Sequence, residues 1–166
     1  SQQDGISASS WLQAEDGTYT ILTGEGSASV QNQNDGDRKP MEQTAQEETG
    51  EDTTSIKGMK AATQMVLKGG TYTIDAEDDT FHSNGNLAIH GGTYTLSSGD
   101  DGIHADSNVT ISGGTIDVAK SYEGIEGLSI DVTGGEISVL ASDDGMNAAG
   151  GNDSSGFEGP GPGGDQ

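Results

Sequence analysis

Cysteine is absent from the 166 residues, so neither disulfides nor thiolate metal sites are available. Basic residues are nearly as scarce. Only 6 Lys and Arg stand against 28 Asp and Glu, for a formal charge of -22. Such a chain has nothing with which to neutralise a run of phosphates, which excludes nucleic acid and an anionic membrane surface as partners. Hydrophobic residues make up only 29%, and no run approaches the ~20 apolar residues of a membrane-spanning helix. Ser1-Gln2-Gln3-Asp4 does not read as a signal peptide. A globular core this poor in apolar residues would be marginal, whereas a narrow solenoid needs only a thin apolar file.

What the chain has instead is a beat. Gly69-Gly70-Thr71, Gly91-Gly92-Thr93 and Gly113-Gly114-Thr115 recur every 22 residues, and Gly134-Gly135-Glu136 follows one residue early. Overlaying the repeats gives apolar columns. Met65 and Leu67 align with Leu87 and Ile89, Val109 and Ile111, then Ile130 and Val132. Tyr72 and Ile74 align with Tyr94 and Leu96, Ile116 and Val118, then Ile137 and Val139. A third file runs Met59, Phe81, Ile103, Ile125, Met146. Within each run the apolar residues sit at i and i+2, the period of a strand with one buried face. The pattern predicts an all-β fold: a right-handed parallel β-helix of about 22 residues and three short strands per turn, with glycine at its corners.

Four regions follow. Residues 1–23 read as a first turn, because Asp4 to Ile21 matches Lys57 to Ile74. Residues 24–54, rich in Gln, Glu, Asp and Gly, read as an acidic flexible insertion, 55–149 as further turns, and 150–166 as a Gly/Pro-rich tail. Neither end carries an obvious cap, so flanking segments of a larger protein are expected to cover the strand edges.

Stacked turns bring equivalent residues about 4.8 Å apart. One corner then gathers Asp78, Asp79, Asp100, Asp101, Glu123, Asp143 and Asp144, with Glu126 beside them. Two carboxylates at that spacing repel by roughly 3 kcal/mol at an effective dielectric near 20. The column therefore calls for screening, protonation or bound cations, and an all-oxygen donor set suits Ca²⁺ better than Zn²⁺. The plainer reading is that Asp-Asp-Gly forms solvated turns. His82 and His104 share a neighbouring column with Lys60, Glu126 and Asn147, as a ligand-facing set or a simple exposed ladder. Lys120 and Tyr122 flank the acidic corner, and Trp11 is the other aromatic expected to be exposed. Asn86 and Asn108 read as an amide ladder at another corner.

The runs Asp78-Asp79-Thr80-Phe81-His82-Ser83-Asn84, Asp100-Asp101-Gly102-Ile103-His104-Ala105-Asp106, Tyr122-Glu123-Gly124-Ile125-Glu126-Gly127 and Asp143-Asp144-Gly145-Met146-Asn147-Ala148 form an ordered set of unlike turns. In these the chain resembles the bacterial carbohydrate-binding-domain proteins typified by a cellulose- and polygalacturonate-binding β-helix of cellulolytic clostridia. The resemblance implies a secreted or cell-surface protein that binds calcium ions and an acidic plant polysaccharide or cellulose. It also implies a likeness to pectate-lyase folds without established lyase activity, and an amino-terminal portion preceding this chain. Two other functions stay open: a calcium-dependent lyase whose base is Lys57, Lys60 or Lys120, and a structural surface stalk stapled by calcium.

Overall fold

The computed structural model describes residues 3–29 and 55–148. Most of the expected insertion and the whole of the expected tail lie outside the described residues. The described residues form stacked β coils with a single short 3-10 turn at Ser27–Ser29. The first coil contributes β1 (Ile6–Ala8), β2 (Trp11–Ala14) and β3 (Thr18–Thr23). The next two contribute β4 (Met59–Ala61), β5 (Gln64–Leu67) and β6 (Thr71–Ala76), then β7 (Phe81–Ser83), β8 (Asn86–Ile89) and β9 (Thr93–Ser98). The later coils follow with β10 (Ile103–Ile111) and β11 (Thr115–Lys120), β12 (Ile125–Val132) and β13 (Glu136–Val139), then β14 (Met146–Asn147).

Each strand pairs in parallel with its equivalent in the neighbouring coil. A 5-stranded sheet runs β13-β11-β9-β6-β3, and the other two faces merge into a 9-stranded sheet. The merger occurs because β10 and β12 each run through a corner that the earlier coils break, so two of the three expected strands become one. The one-residue shortening of the repeat is absorbed at that corner. Ala105 pairs with Gly127 and Asn108 with Ser129, with a register shift between them.

The apolar columns face inward as the alternation requires, except at the last coils, where no further coil covers Val132 and Met146 among the described residues and both are exposed. Along β6 and β9, Tyr72, Ile74, Tyr94 and Leu96 are buried while Thr71, Thr73, Thr93 and Thr95 are exposed. Tyr19, Tyr72 and Tyr94 stack face to face with centroids 4.7 Å apart. Phe81 meets Tyr72 and Tyr94 edge-on at 5.9 Å. Each tyrosine hydroxyl donates to the carbonyl three residues earlier, on Asp16, Gly69 and Gly91, so a polar tip is satisfied inside an apolar file.

The corners need glycine for two separate reasons. Gly92 has a φ of +105°, and a Cβ there would stand 2.9 Å from the Gly70 carbonyl oxygen. That oxygen accepts the Thr93 amide at 2.8 Å, and the Gly92 carbonyl accepts the Thr115 amide in the next coil. At the acidic corner, Gly102 lets neighbouring coils approach, since a Cβ would lie 2.6 Å from the Gly124 carbonyl oxygen. Gly102 thus serves stacking as much as turning, whereas a Cβ at Gly145, in the last coil, would meet nothing within 4 Å.

Candidate functional site: a polar corner shared by successive coils

Backbone bonds carry the parallel ladder through the acidic corner. Gly58, Thr80, Gly102 and Gly124 donate their amides to Asp79, Asp101, Glu123 and Asp144 respectively. This superimposes Lys57, Asp79, Asp101, Glu123 and Asp144 in one column. A second column, one residue earlier, holds Ile56, Asp78, Asp100, Tyr122 and Asp143; the Asp78, Tyr122 and Asp143 amides bond to Ile56, Asp100 and Tyr122. A third comes from strand register: Ser7, Lys60, His82, His104, Glu126 and Asn147.

The members of each acidic pair therefore part company. Asp79, Asp101 and Glu123 are buried, Asp78 is partly buried, and Asp100, Asp143 and Asp144 are exposed. Glu126, which the sequence places facing outward, is buried. His82 and His104 turn in toward the acids, with side chains only 14% and 13% exposed. Their rings stack 4.6 Å apart within 9° of parallel.

Three donor groups result among the described residues. Asp78, Asp79 and Asp100 converge on one side, where the Lys57 ammonium already sits 2.5 Å from Asp78 and 3.5 Å from Asp79. Asp79 also joins His82 and His104, its Oδ2 lying 2.7 Å from His82 Nδ1. Asp101 and Glu126 bracket His104, at 3.0 and 2.6 Å from its Nδ1. On the far edge of each ring, His82 Nε2 meets Asn84 Oδ1 at 2.8 Å and His104 Nε2 meets Asp106 Oδ1 at 2.9 Å. Asp143 and Asp144 belong to none of these groups. Glu123 accepts the Asn147 amide through both its oxygens. Tyr122 is exposed at the edge of the corner. Lys120 donates to the Ser27 carbonyl, so its ammonium is engaged with the first residues after β3.

Charge compensation inside the corner comes from its own cations. Burial alone would raise Asp79, but the His82 hydrogen bond and the Lys57 charge hold it below the usual carboxylate range. Burial would lower Lys57, yet the charge of Asp79 and the hydrogen bond with Asp78 raise it. Further along the column compensation fails. Desolvation and the Asp79 and Asp78 charges raise Asp100 to about 6. Asp101 rises to about 8, chiefly through burial, with the Asp79 charge and a hydrogen bond to Glu126 adding to it. His104 would be lowered by burial, but hydrogen bonds to Asp101 and Asp106 outweigh this and raise it to about 10. The arrangement is a charge ladder with an excess of carboxylate and imidazole groups turned into it.

A sequence model of a family of carbohydrate-binding domain-containing proteins matches residues 1–102. The chain belongs to that family. No curated protein and no solved structure matches it. The family match takes in Lys57, Asp78, Asp79, His82, Asp100 and Asp101, so much of the polar corner falls within the stretch that defines family membership. The repeat continues beyond it, through Glu123, Glu126 and Asn147, in the same register.

Two features of this carbohydrate-binding family member escaped the sequence reading. Lys57, which the sequence offers as a candidate base with carboxylate neighbours, stands in the acidic column itself. Asn84 and Asp106, two positions after His82 and His104, meet the outer nitrogens of those rings, a role the sequence reading did not give them. The signal was present: Asp-x-x-His-x-Asn/Asp occurs at Asp79–Asn84 and again at Asp101–Asp106. The ladder at the opposite corner is present in altered form, with Asn86 Oδ1 accepting the Asn108 amide and Asn108 Oδ1 accepting the Ser129 hydroxyl.

Proposed function

We propose that this domain binds glycan without cleaving it, that the polar corner is its contact face, and that its ligand is an acidic plant polysaccharide of the polygalacturonate type. The observation that carries the reading is the register. Three columns of polar side chains run along one corner, one set per coil, and a linear polymer presents its own groups in the same repeating way. Neutral, crystalline cellulose is the weaker candidate. The stacked tyrosines are core residues, and the exposed Trp11 and Tyr122 lie in different columns, so they form no aromatic strip.

Calcium enters this proposal as a bridge between two polyanions. Of the donor groups, Asp78, Asp79 and Asp100 alone are all oxygen, and the Lys57 ammonium leaves three carboxylates under-neutralised. That donor chemistry fits a hard cation, and these three residues would hold it. Bound there, Ca²⁺ would supply positive charge to uronate carboxylates. Such a ligand lies outside the cell, so the proposal places the protein in a secreted or cell-surface setting.

A lyase needs a base that is neutral near its working pH. Lys57 is instead raised and bound to Asp78 and Asp79, and Lys120 is tied to Ser27. The test incubates the protein with immobilised polygalacturonate or cellulose, in Ca²⁺ or chelator, while ultraviolet absorbance follows unsaturated products. Calcium-dependent retention on polygalacturonate with flat absorbance is expected. Growing absorbance would establish a lyase, retention that survives chelator would remove the calcium bridge, and no retention on either polymer would leave a structural stalk.

A further inference from the structure

We propose that Asp101, His104 and Glu126 form a separate site for a borderline divalent cation such as Zn²⁺. The site is distinct from the all-oxygen group and does not depend on glycan binding. Three observations lead to it. First, the donor set is mixed: one imidazole nitrogen and two carboxylates, a combination that zinc accepts and that calcium does not favour. Second, the donors are already gathered. His104 Nδ1 lies 3.0 Å from Asp101 Oδ2 and 2.6 Å from Glu126 Oε2. Ligand atoms around a tetrahedral zinc stand about 3.3 Å apart for bonds near 2.0–2.1 Å, so Nδ1 has to draw away by about 0.3 Å from Asp101 and about 0.7 Å from Glu126. Both carboxylates are buried and the imidazole nearly so, which removes the bulk-water competition that weakens exposed acidic clusters.

Third, the ring has an outer partner. His104 Nε2 donates to Asp106 Oδ1 at 2.9 Å, so the ring would keep that proton and its orientation when a metal ion takes the place of the Nδ1 proton now shared with the two carboxylates. Metal-bound histidines almost always carry such an outer carboxylate or carbonyl partner. The neighbouring group of Asp79, His82 and His104 is less suited. Its rings stack 4.6 Å apart and the Lys57 ammonium lies 3.5 Å from Asp79. His82 instead covers one face of the His104 ring.

The test is a titration of metal-free protein with Zn²⁺ by calorimetry, repeated in excess Ca²⁺. One equivalent of Zn²⁺ is expected to bind, with an affinity that Ca²⁺ does not reduce. Substitution of the exposed Asp106, Asp106→Ala, should weaken binding about 10–100-fold, the usual effect of removing an outer partner, and His104→Gln should abolish it. The histidine ring ¹⁵N signals of the unsubstituted protein give a readout independent of whether variants fold. Zn²⁺ should move the Nδ1 signal of His104 by tens of ppm and leave His90, on another corner beside Ser112, unmoved. No heat of binding, a stationary His104 signal, full competition by Ca²⁺, or undiminished affinity in folded His104→Gln would each overturn the site. The polygalacturonate retention assay is indifferent to all of these results, so either proposal can fail alone.

Discussion

Replacing Tyr94 with alanine is expected to cost about 3–5 kcal/mol of stability, the range for deleting a large buried aromatic side chain. Tyr94 is 1% exposed. Its ring stacks on Tyr72 at 4.7 Å and takes the edge of Phe81 at 5.9 Å, so truncation opens a cavity between two coils that rigid backbone ladders hold apart. Neighbouring coils cannot close the gap without breaking those ladders, which keeps the penalty at the upper end. Tyr94→Phe retains the packing and loses only the hydroxyl bond to Gly91, which should cost about 1 kcal/mol. Thr95→Ala, on the exposed face of the same strand, should stay within about 0.5 kcal/mol. Chemical denaturation of the three variants checks the order. Because whole domains are stable by only about 5–15 kcal/mol, Tyr94→Ala should bring the protein close to its limit.

Stability should also fall as pH rises from 5 to 9. Asp101 is raised to about 8 in the folded state, from an ordinary value of 3.8. Between those values the folded protein holds a proton that the unfolded chain has lost, so unfolding becomes easier with each step in pH. Asp100, raised to about 6, acts in the same direction over a narrower window. His104, raised from 6.5 to about 10, adds stability that is fully present below 6.5 and is lost as pH climbs toward 10. Two groups set the outer limits. Asp79 is lowered, so its contribution is lost only as pH falls below its ordinary value, and Lys57 is raised, so its contribution is lost only above 10.5. The melting temperature should therefore peak in mild acid and drop by about 3 °C or more by pH 9, the change that roughly 1 kcal/mol brings in a domain of this size. Thermal denaturation at pH 5, 7 and 9 in chelator measures this. A maximum at pH 8 or above would mean that the buried carboxylates are fully compensated in the fold.

The fold was legible because a fixed repeat leaves parallel strands little choice of partner. Met59, Phe81, Ile103, Ile125 and Met146 pair in the order in which they align, and so do Tyr72, Tyr94, Ile116 and Ile137. A slip of one residue would turn all the buried ones among these side chains to solvent. Strand length was less legible. Whether the chain breaks at a corner depends on local geometry, so the continuous β10 and β12 carried no signal in hydrophobic period. At the site, superposition fixed which acids share a coil position but not which way each one faces. Alternation fails at a corner, where Asp101 is buried and the adjoining Asp100 is exposed although both lie in the backbone ladder. Lys57 was hidden because its coil replaces the acid of the column with a base. Residues of one charge are easy to align, whereas a compensating residue of the other charge looks like an interruption.

The chain has 3 histidines, and their placement allows a direct check on the ridge as the contact face. His82 and His104 lie in the polar corner, while His90 bonds Ser112 on a different one. Titration with an oligogalacturonate in Ca²⁺, followed by histidine ring resonances, should shift His82 and His104 together and leave His90 in place. Saturable binding that moves His90, with the other two stationary, would put the glycan on another surface and contradict the account.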